Sequence, residues 1–450
     1  MKPVTDNHFR PSRRNASGVR VLEPGDGLEQ AERRAFLQAL RSHGITLSAT
    51  CLLTGTGAFA ADAATQTGPT SERPTPTLAV GHIVRDFADA YVELIRLLRE
   101  ASEVEHALMA QYLYGAFSLK PAYASIAGYG NPNSNDLLGV AIQEMQHLGQ
   151  VNALLMALDA SPHLIRQDFP YQPDIYPFEF NLEPLTQVSL AKYVYTEAPV
   201  NGLKRSKVSS PSDHQFLDQL DRVLGGSTRP NHVGSLYDRI IQTLQEYIRT
   251  TPKRSAELKP WIAKLEEIKR EGEDNHFLFF KSLFLGTHEG FKGHQNIWSL
   301  APNDPAYPSL PLAINPSAFV GHPNQIRDPL ALSLAWLGNL HYWTILLLTD
   351  AAYSDADHTY IDLAKQQMMG PFLSLARHLP TLGVGMPCEP LSTGYAPCRT
   401  TAARLRFVSS MVGESNQLAQ QLKDSLPADY PLAVGEAMMS TLTEKRAQYA

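Results

Sequence analysis

Glu144-Met145-Gln146-His147, inside the run from Leu137 to Leu158, is the stretch on which the fold turns. Leu137, Val140, Glu144, His147, Val151, Leu154 and Leu158 follow one another at steps of three and four, the spacing of a buried stripe on an α-helix. Glu144 and His147 both fall on that stripe. Residues three apart on a helix have Cβ atoms about 5 to 6 Å apart, so this carboxylate and imidazole can reach one metal ion. The preceding Asn131-Pro132-Asn133-Ser134-Asn135-Asp136 reads as a helix start signal.

The anomaly recurs on both sides. From Asp89 to Ser118, Leu94, Leu98, Ala101, Glu105, Leu108, Tyr112 and Gly115 make a second stripe, again with an acid in it. Such an acid costs several kcal/mol unless it is protonated, paired or bound to a cation. Downstream, Glu273-Asp274-Asn275-His276 repeats the E-x-x-H spacing, with Phe280 and Leu283 continuing it, although Lys269 and Gly272 interrupt the stripe upstream. Val233, Tyr237, Ile240, Leu244 and Tyr247 form a further stripe without a carboxylate. Any one of these is weak, because a lone Glu can snorkel or pair and an isolated E-x-x-H arises by chance. Jointly they match a ferritin-like bundle, in which two helices give a Glu each and two give Glu-x-x-His, all inward. The expected fold is mostly α: a ferritin-like four-helix bundle with a long crossover and additional C-terminal helices.

The segments Glu103-Val104-Glu105-His106-Ala107-Leu108-Met109-Ala110-Gln111-Tyr112-Leu113-Tyr114 and Glu144-Met145-Gln146-His147-Leu148, with Val151-Asn152-Ala153-Leu154-Leu155, resemble the ferritin-like domain of iminophenyl-pyruvate dimer synthases. That domain also occurs in the imine-coupling enzymes of violacein and rebeccamycin-type pathways. Tyr176-Pro177 and Tyr195-Thr196-Glu197-Ala198-Pro199 fit the family's crossover, and the resemblance runs over roughly residues 90 to 285 and, loosely, 330 to 380. Its motifs speak for the fold more than for the reaction. In one place the chain departs from it: where the family carries a Glu on the third bundle helix, this chain reads Gly234-Ser235-Leu236-Tyr237. The resemblance then makes Glu197 the remaining acidic candidate, either a ligand or an ordinary helix-end carboxylate.

The expected metal ligands are therefore Glu105, Glu144, His147, Glu197, Glu273 and His276. Carboxylates with neutral imidazoles suit iron, one or two ions, with manganese as an alternative, and the absence of a thiolate set argues against structural zinc or an iron-sulfur cluster. Tyr112 and Tyr237 share the stripes and can hydrogen-bond to the ligands or simply pack.

The 450 residues are 43% hydrophobic and 19% charged, enough for a large core. Forty-five acidic against 39 basic side chains give a net charge of -6, which leaves no broad basic surface for nucleic acid. With 32 prolines and 29 glycines, long irregular connections are expected. No G-x-S-x-G elbow, phosphate-binding G-x-x-x-x-G-K-[ST] loop, H-E-x-x-H helix or dinucleotide fingerprint is present, so those chemistries have no anchor.

Residues 1–60 read as a twin-arginine-type signal peptide: Arg33-Arg34-Ala35-Phe36-Leu37-Gln38, a weakly apolar run from Gly44, then Ala58-Phe59-Ala60 for cleavage before Ala61. An ordinary helix with two surface arginines is the bland alternative. Residues 61–82, rich in Thr, Pro and Ser, read as a flexible linker, residues 83–290 as the metal-binding bundle and 291–450 as a helical region packed on it. The expected location is periplasmic or secreted, with the twin-arginine export machinery and a small-molecule substrate as partners. Cys388 and Cys398 then lie in a disulfide-permitting compartment and are expected to pair. Pro329 to Thr349 contains no Asp, Glu, Lys or Arg, but Asn339, His341, Tyr342 and Trp343 near its middle favour a buried core helix over a membrane span. His341 and His378 are expected to be packed or capping histidines. A non-catalytic metal-binding or interaction protein that keeps the bundle is the alternative to an oxidoreductase.

Overall fold

The structure is a computed structural model that describes residues 83, 85–166, 178–226, 232–294, 296–390, 398 and 400–449. The signal-peptide and linker readings, and Tyr176-Pro177, lie outside these residues. The fold is mostly helical and has no strand among the described residues.

The bundle begins with α1, Ala90–Ser118, whose N-cap Asp89 accepts from the Val92 amide at 2.9 Å. Arg96 reinforces the first turns by bridging Glu93 and Glu100 at 2.8 and 2.9 Å. Helix α2, Leu137–Ala157, starts at Asp136, the end of the predicted start signal, whose carboxylate takes the Gly139 amide. Between α2 and the third bundle helix runs the crossover, containing α3, Gln187–Glu197, and α4, Pro211–Leu224. The third bundle helix is α5, Val233–Thr250. The fourth is a continuous rod made of α6, Ser255–Arg270, a π-helical turn at Glu271–His276, and α7, Phe277–Phe284. Helix α1 packs on α2 and α5, α5 on α6, and α3 on α7.

The apolar members of both predicted stripes, from Leu94 to Tyr112 and from Leu137 to Leu158, are buried in one core that continues through Leu236, Ile240 and Leu244 to Phe280 and Leu283. Each such leucine contributes about 2 kcal/mol by leaving water. Glu105, Glu144 and His147 sit in the same stripes at 3% exposure or less. The apolar spacing that forms the helices therefore also carries the polar groups into the middle.

After the bundle come α8, Pro329–Asp355; α9, His358–Gln367; a second π turn, Met368–Phe372; α10, Leu373–His378; α11, Thr401–Gln421; and α12, Leu432–Ala447. A second core joins Ala110, Tyr114 and Phe117 of α1 to α8 and α10. Helix α8 is long and apolar enough to cross a membrane by length and composition, yet 72% of its most apolar window is buried inside the protein. The polar side chains near its middle have partners: Asn339 and the Trp343 indole bond to Glu389, Tyr342 to His106 and His341 to Tyr430.

The expected disulfide is absent: Cys388 and Cys398 are both free thiols. Cys388 lines an apolar pocket with Tyr114, Phe117, Phe372 and Met386, where it packs as a small hydrophobe. Burial pushes its thiol up to about 12. Cys398 is only half-buried, near the start of α11, and Arg404 binds its carbonyl at 3.0 Å.

Candidate metal centre

Four elements converge on one point inside the bundle. Glu105 comes from the middle of α1, and Glu144 and His147 come from consecutive turns of α2. Glu197 is the last residue of α3, because Ala198 must turn extended before Pro199 and the helix can go no further. His276 ends the π turn of the fourth rod.

Two groups that could hold a metal ion result, each with donor atoms within 4.8 Å of one another: Glu105, Glu144 and His147, and Glu144, Glu197 and His276. Glu144 belongs to both. Its Oε2 lies 3.0 Å from His147 Nδ1 and its Oε1 lies 3.0 Å from His276 Nδ1. Glu105 Oε2 is 3.5 Å from His147 Nδ1, and Glu197 Oε2 is 3.6 Å from His276 Nδ1. The two imidazoles are 5.9 Å apart.

The outer edges of both rings are held by one strap. His147 Nε2 meets Glu271 Oε2 at 2.9 Å, His276 Nε2 meets Gln143 Oε1 at 3.1 Å, and the Gln143 amide nitrogen donates to Glu271. Because that amide gives its protons to Glu271, its oxygen must accept from His276, and a carboxylate must accept from His147. Each ring therefore carries a proton on Nε2 and turns Nδ1 toward the carboxylates. On the other side, the Tyr237 hydroxyl donates to Glu105 and the Tyr112 hydroxyl to Glu197. The two stripe tyrosines thus orient ligand carboxylates as well as fill space.

Glu271 and Gln143 were not anticipated from the sequence, and Glu273 is not a member of either ligand group. The π turn is the cause. It carries more residues per turn than an α-helix, so the regular three-residue spacing from Glu273 to His276 no longer sets the shared face. Glu271, five residues before His276, swings onto the imidazole side. Glu273 still borders the same cavity, with Lys269 Nζ 3.9 Å away. The signal was present as the interruption of the stripe at Lys269 and Gly272.

Two glycines make room for the acids. A Cβ at Gly234 would stand 2.3 Å from Glu273 Oε1, and one at Gly272 would stand 2.9 Å from Glu197 Oε2. Ser235, where the resemblance expects a Glu, is 2% exposed and its hydroxyl accepts from the His232 amide at the start of α5.

Burial and the neighbouring Glu144 push Glu105 up to about 8. For Glu144 burial acts the same way but is outweighed by His276 and His147, which hold it well below the usual carboxylate range. Burial would lower both imidazoles; Glu144 and the other acids raise them instead, His147 well above its ordinary value and His276 to about 10. Without a cation, protons balance this cluster. The buried Glu105 Oε2, Glu144 Oε1, Glu273 Oε1 and His276 Nδ1 nevertheless have no hydrogen-bond partner. Buried carboxylate and imidazole atoms crowded around one point, held by close ion pairs but without a well-directed hydrogen bond, are costly, and this donor set fits a divalent metal that would displace the protons.

Comparison with known proteins agrees with this architecture. Residues 98–281 match the family model described as Ferritin-like. Over 130 residues the chain is 32% identical to dichlorochromopyrrolate synthase of Lentzea aerocolonigenes, an alignment covering 24% of this chain and 13% of that protein. The chain thus spans a small part of the length of the curated relative it matches. No solved structure matches it significantly. Residues 98–281 form a ferritin-like domain whose buried carboxylates and imidazoles could hold a metal.

Proposed function

We propose that this ferritin-like domain serves an exported non-haem iron oxidoreductase acting on a small organic substrate, by oxidative coupling of amino-acid-derived imines. The observation that carries the reading is the pair of buried carboxylate and imidazole groups sharing Glu144, several of whose polar atoms make no hydrogen bond. Glu105, Glu144 and His147 would hold one ion, and Glu144, Glu197 and His276 a second. Glu197 supplies the carboxylate that the third bundle helix lacks at Ser235. Iron in such a donor set supplies one-electron oxidation driven by dioxygen, and manganese suits the same donors.

The chain's own residues set the rest. The cavity beside the ligands is about 20 Å³, room for little more than a water-sized molecule, so an organic substrate meets the centre at its rim. Lys269 stands there, anchored to Asp238 at 2.8 Å, and its ammonium suits the carboxylate of an amino-acid-derived substrate. Tyr112, Tyr237 and the Glu271–Gln143 strap keep the ligands in place during turnover. The name of the matched relative, dichlorochromopyrrolate synthase, supports a synthase as the class of reaction. A twin-arginine leader fits a protein that folds and takes up its metal before export to the periplasm.

The test is oxygen uptake by iron-loaded protein supplied with an imine generated in place by an amino-acid oxidase from aromatic amino acids. Uptake with a coupled product by mass spectrometry, lost in Glu144→Gln, supports the reading. No uptake with any such imine, despite full iron loading, leaves the alternative that Ser235 favours, a metal-binding or interaction protein without turnover.

A further inference from the structure

We propose that the C-terminal helices carry a second ligand site, for a small molecule with an apolar body, an ammonium group and a hydrogen-bond acceptor, in the cavity bordered by His341 of α8, the second π turn, α11 and the start of α12. This cavity is about 170 Å³, against about 20 Å³ at the metal centre, and so has room for a molecule of roughly ten non-hydrogen atoms.

Its deep wall holds a preset donor. The Gln367 amide nitrogen can only donate, so His341 Nδ1 accepts from it and the ring proton sits on Nε2. Nε2 then donates to the Tyr430 hydroxyl oxygen at 2.7 Å. The hydroxyl proton of Tyr430 is therefore free to turn from the imidazole toward the cavity that Tyr430 lines. His341 is 2% exposed, and burial holds it down to about 3, which keeps the ring neutral and this polarity fixed.

The rest of the wall selects the ligand. Pro371, Ala419, Pro431 and Leu432 supply apolar surface, and Glu436, at the exposed edge, is the one charged side chain among the lining residues. A wall with one carboxylate and no cation attracts an ammonium and disfavours an anion. The walls are also pinned. Asn416 Nδ2 donates to the Gly435 carbonyl at 2.9 Å, an approach only glycine allows, since a Cβ there would stand 1.9 Å from Asn416 Oδ1. Ser374 bonds to Asp429 at 2.8 Å. Pro371 enters the wall through the π turn, and such wide turns recur at functional sites.

Tyramine, p-cresol and 4-hydroxyphenylacetate share a body and an acceptor and differ in charge, so titrating each into the full chain by calorimetry tests the site. Tyramine is expected to bind with a Kd on the order of 0.1–1 mM, p-cresol more weakly and the acetate not at all. Glu436→Gln, at an exposed position, should weaken tyramine about tenfold and leave p-cresol unchanged. Tyr430→Phe should weaken both, and Glu144→Gln, which disables the metal centre, should change neither. Equal binding of the three compounds, no binding of tyramine at ~10 mM, indifference to Glu436→Gln, or loss of binding in Glu144→Gln would each overturn the proposal.

Discussion

Glu271 shows what a single side chain outside the ligand set can do. It accepts from His147 Nε2 and from Gln143, and so fixes which nitrogen each imidazole turns inward. Glu271→Ala is expected to lower metal affinity about 10- to 100-fold while leaving the helical content unchanged, as read by competition with a fluorescent chelator and circular dichroism. Protonation gives a second prediction at this scale. Glu105 and His276 hold their protons to about 8 and about 10 in the metal-free protein, above their values in an unfolded chain. The stabilisation from a raised group is full below its unfolded value and is lost as pH rises through the folded one. The melting temperature of metal-free protein should therefore fall between about pH 5 and pH 10. Metal-loaded protein should not show this fall over the same range, because the metal replaces those protons.

At the scale of elements, the π turn of the fourth rod decides which acids face the centre, and α5 decides how much space they have. Gly234 leaves the volume that Glu273 occupies, because a methyl there would fall 2.3 Å from its carboxylate oxygen. Gly234→Ala favours helix α5 by about 0.5–1 kcal/mol through backbone entropy but forces Glu273 away. The expected outcome is a metal-free protein of similar or higher denaturation midpoint whose metal content after loading falls. Unchanged metal content would mean that the position of Glu273 on the cavity wall has no bearing on metal binding. The E-x-x-H spacing on α2 was readable because that helix is regular through the motif. On the fourth rod the same letters bring His276 but not Glu273 into a candidate group, because spacing predicts a shared face only where the number of residues per turn is known.

Across the whole molecule, the buried carboxylate of Glu389 ties separate segments together. It accepts from Ser317, the Ala318 amide and Asn339, while its own amide donates to Asn339 and its carbonyl accepts the Trp343 indole. Asn339→Ala removes one of these donors from inside the protein, and about 2–3 kcal/mol should be lost, measured as a lower urea midpoint at unchanged slope. Nothing in the local sequence announces this cluster, since its members are spread from Ser317 to Glu389. The free thiols of Cys388 and Cys398 carry the same lesson, because a disulfide-permitting compartment says nothing about which thiol the core will bury.

Periodicity alone determined the helices of the bundle and the presence of Glu105, Glu144 and His147 among its apolar stripes, because spacing along a regular helix fixes which side chains share a face. Tertiary structure alone decided that Glu144 is shared between two groups, that Glu271 rather than Glu273 takes the imidazole edge, and that a second cavity opens behind His341. Those relations depend on where a helix stops, how wide one turn is and how rods distant in sequence pack, and local spacing encodes none of the three.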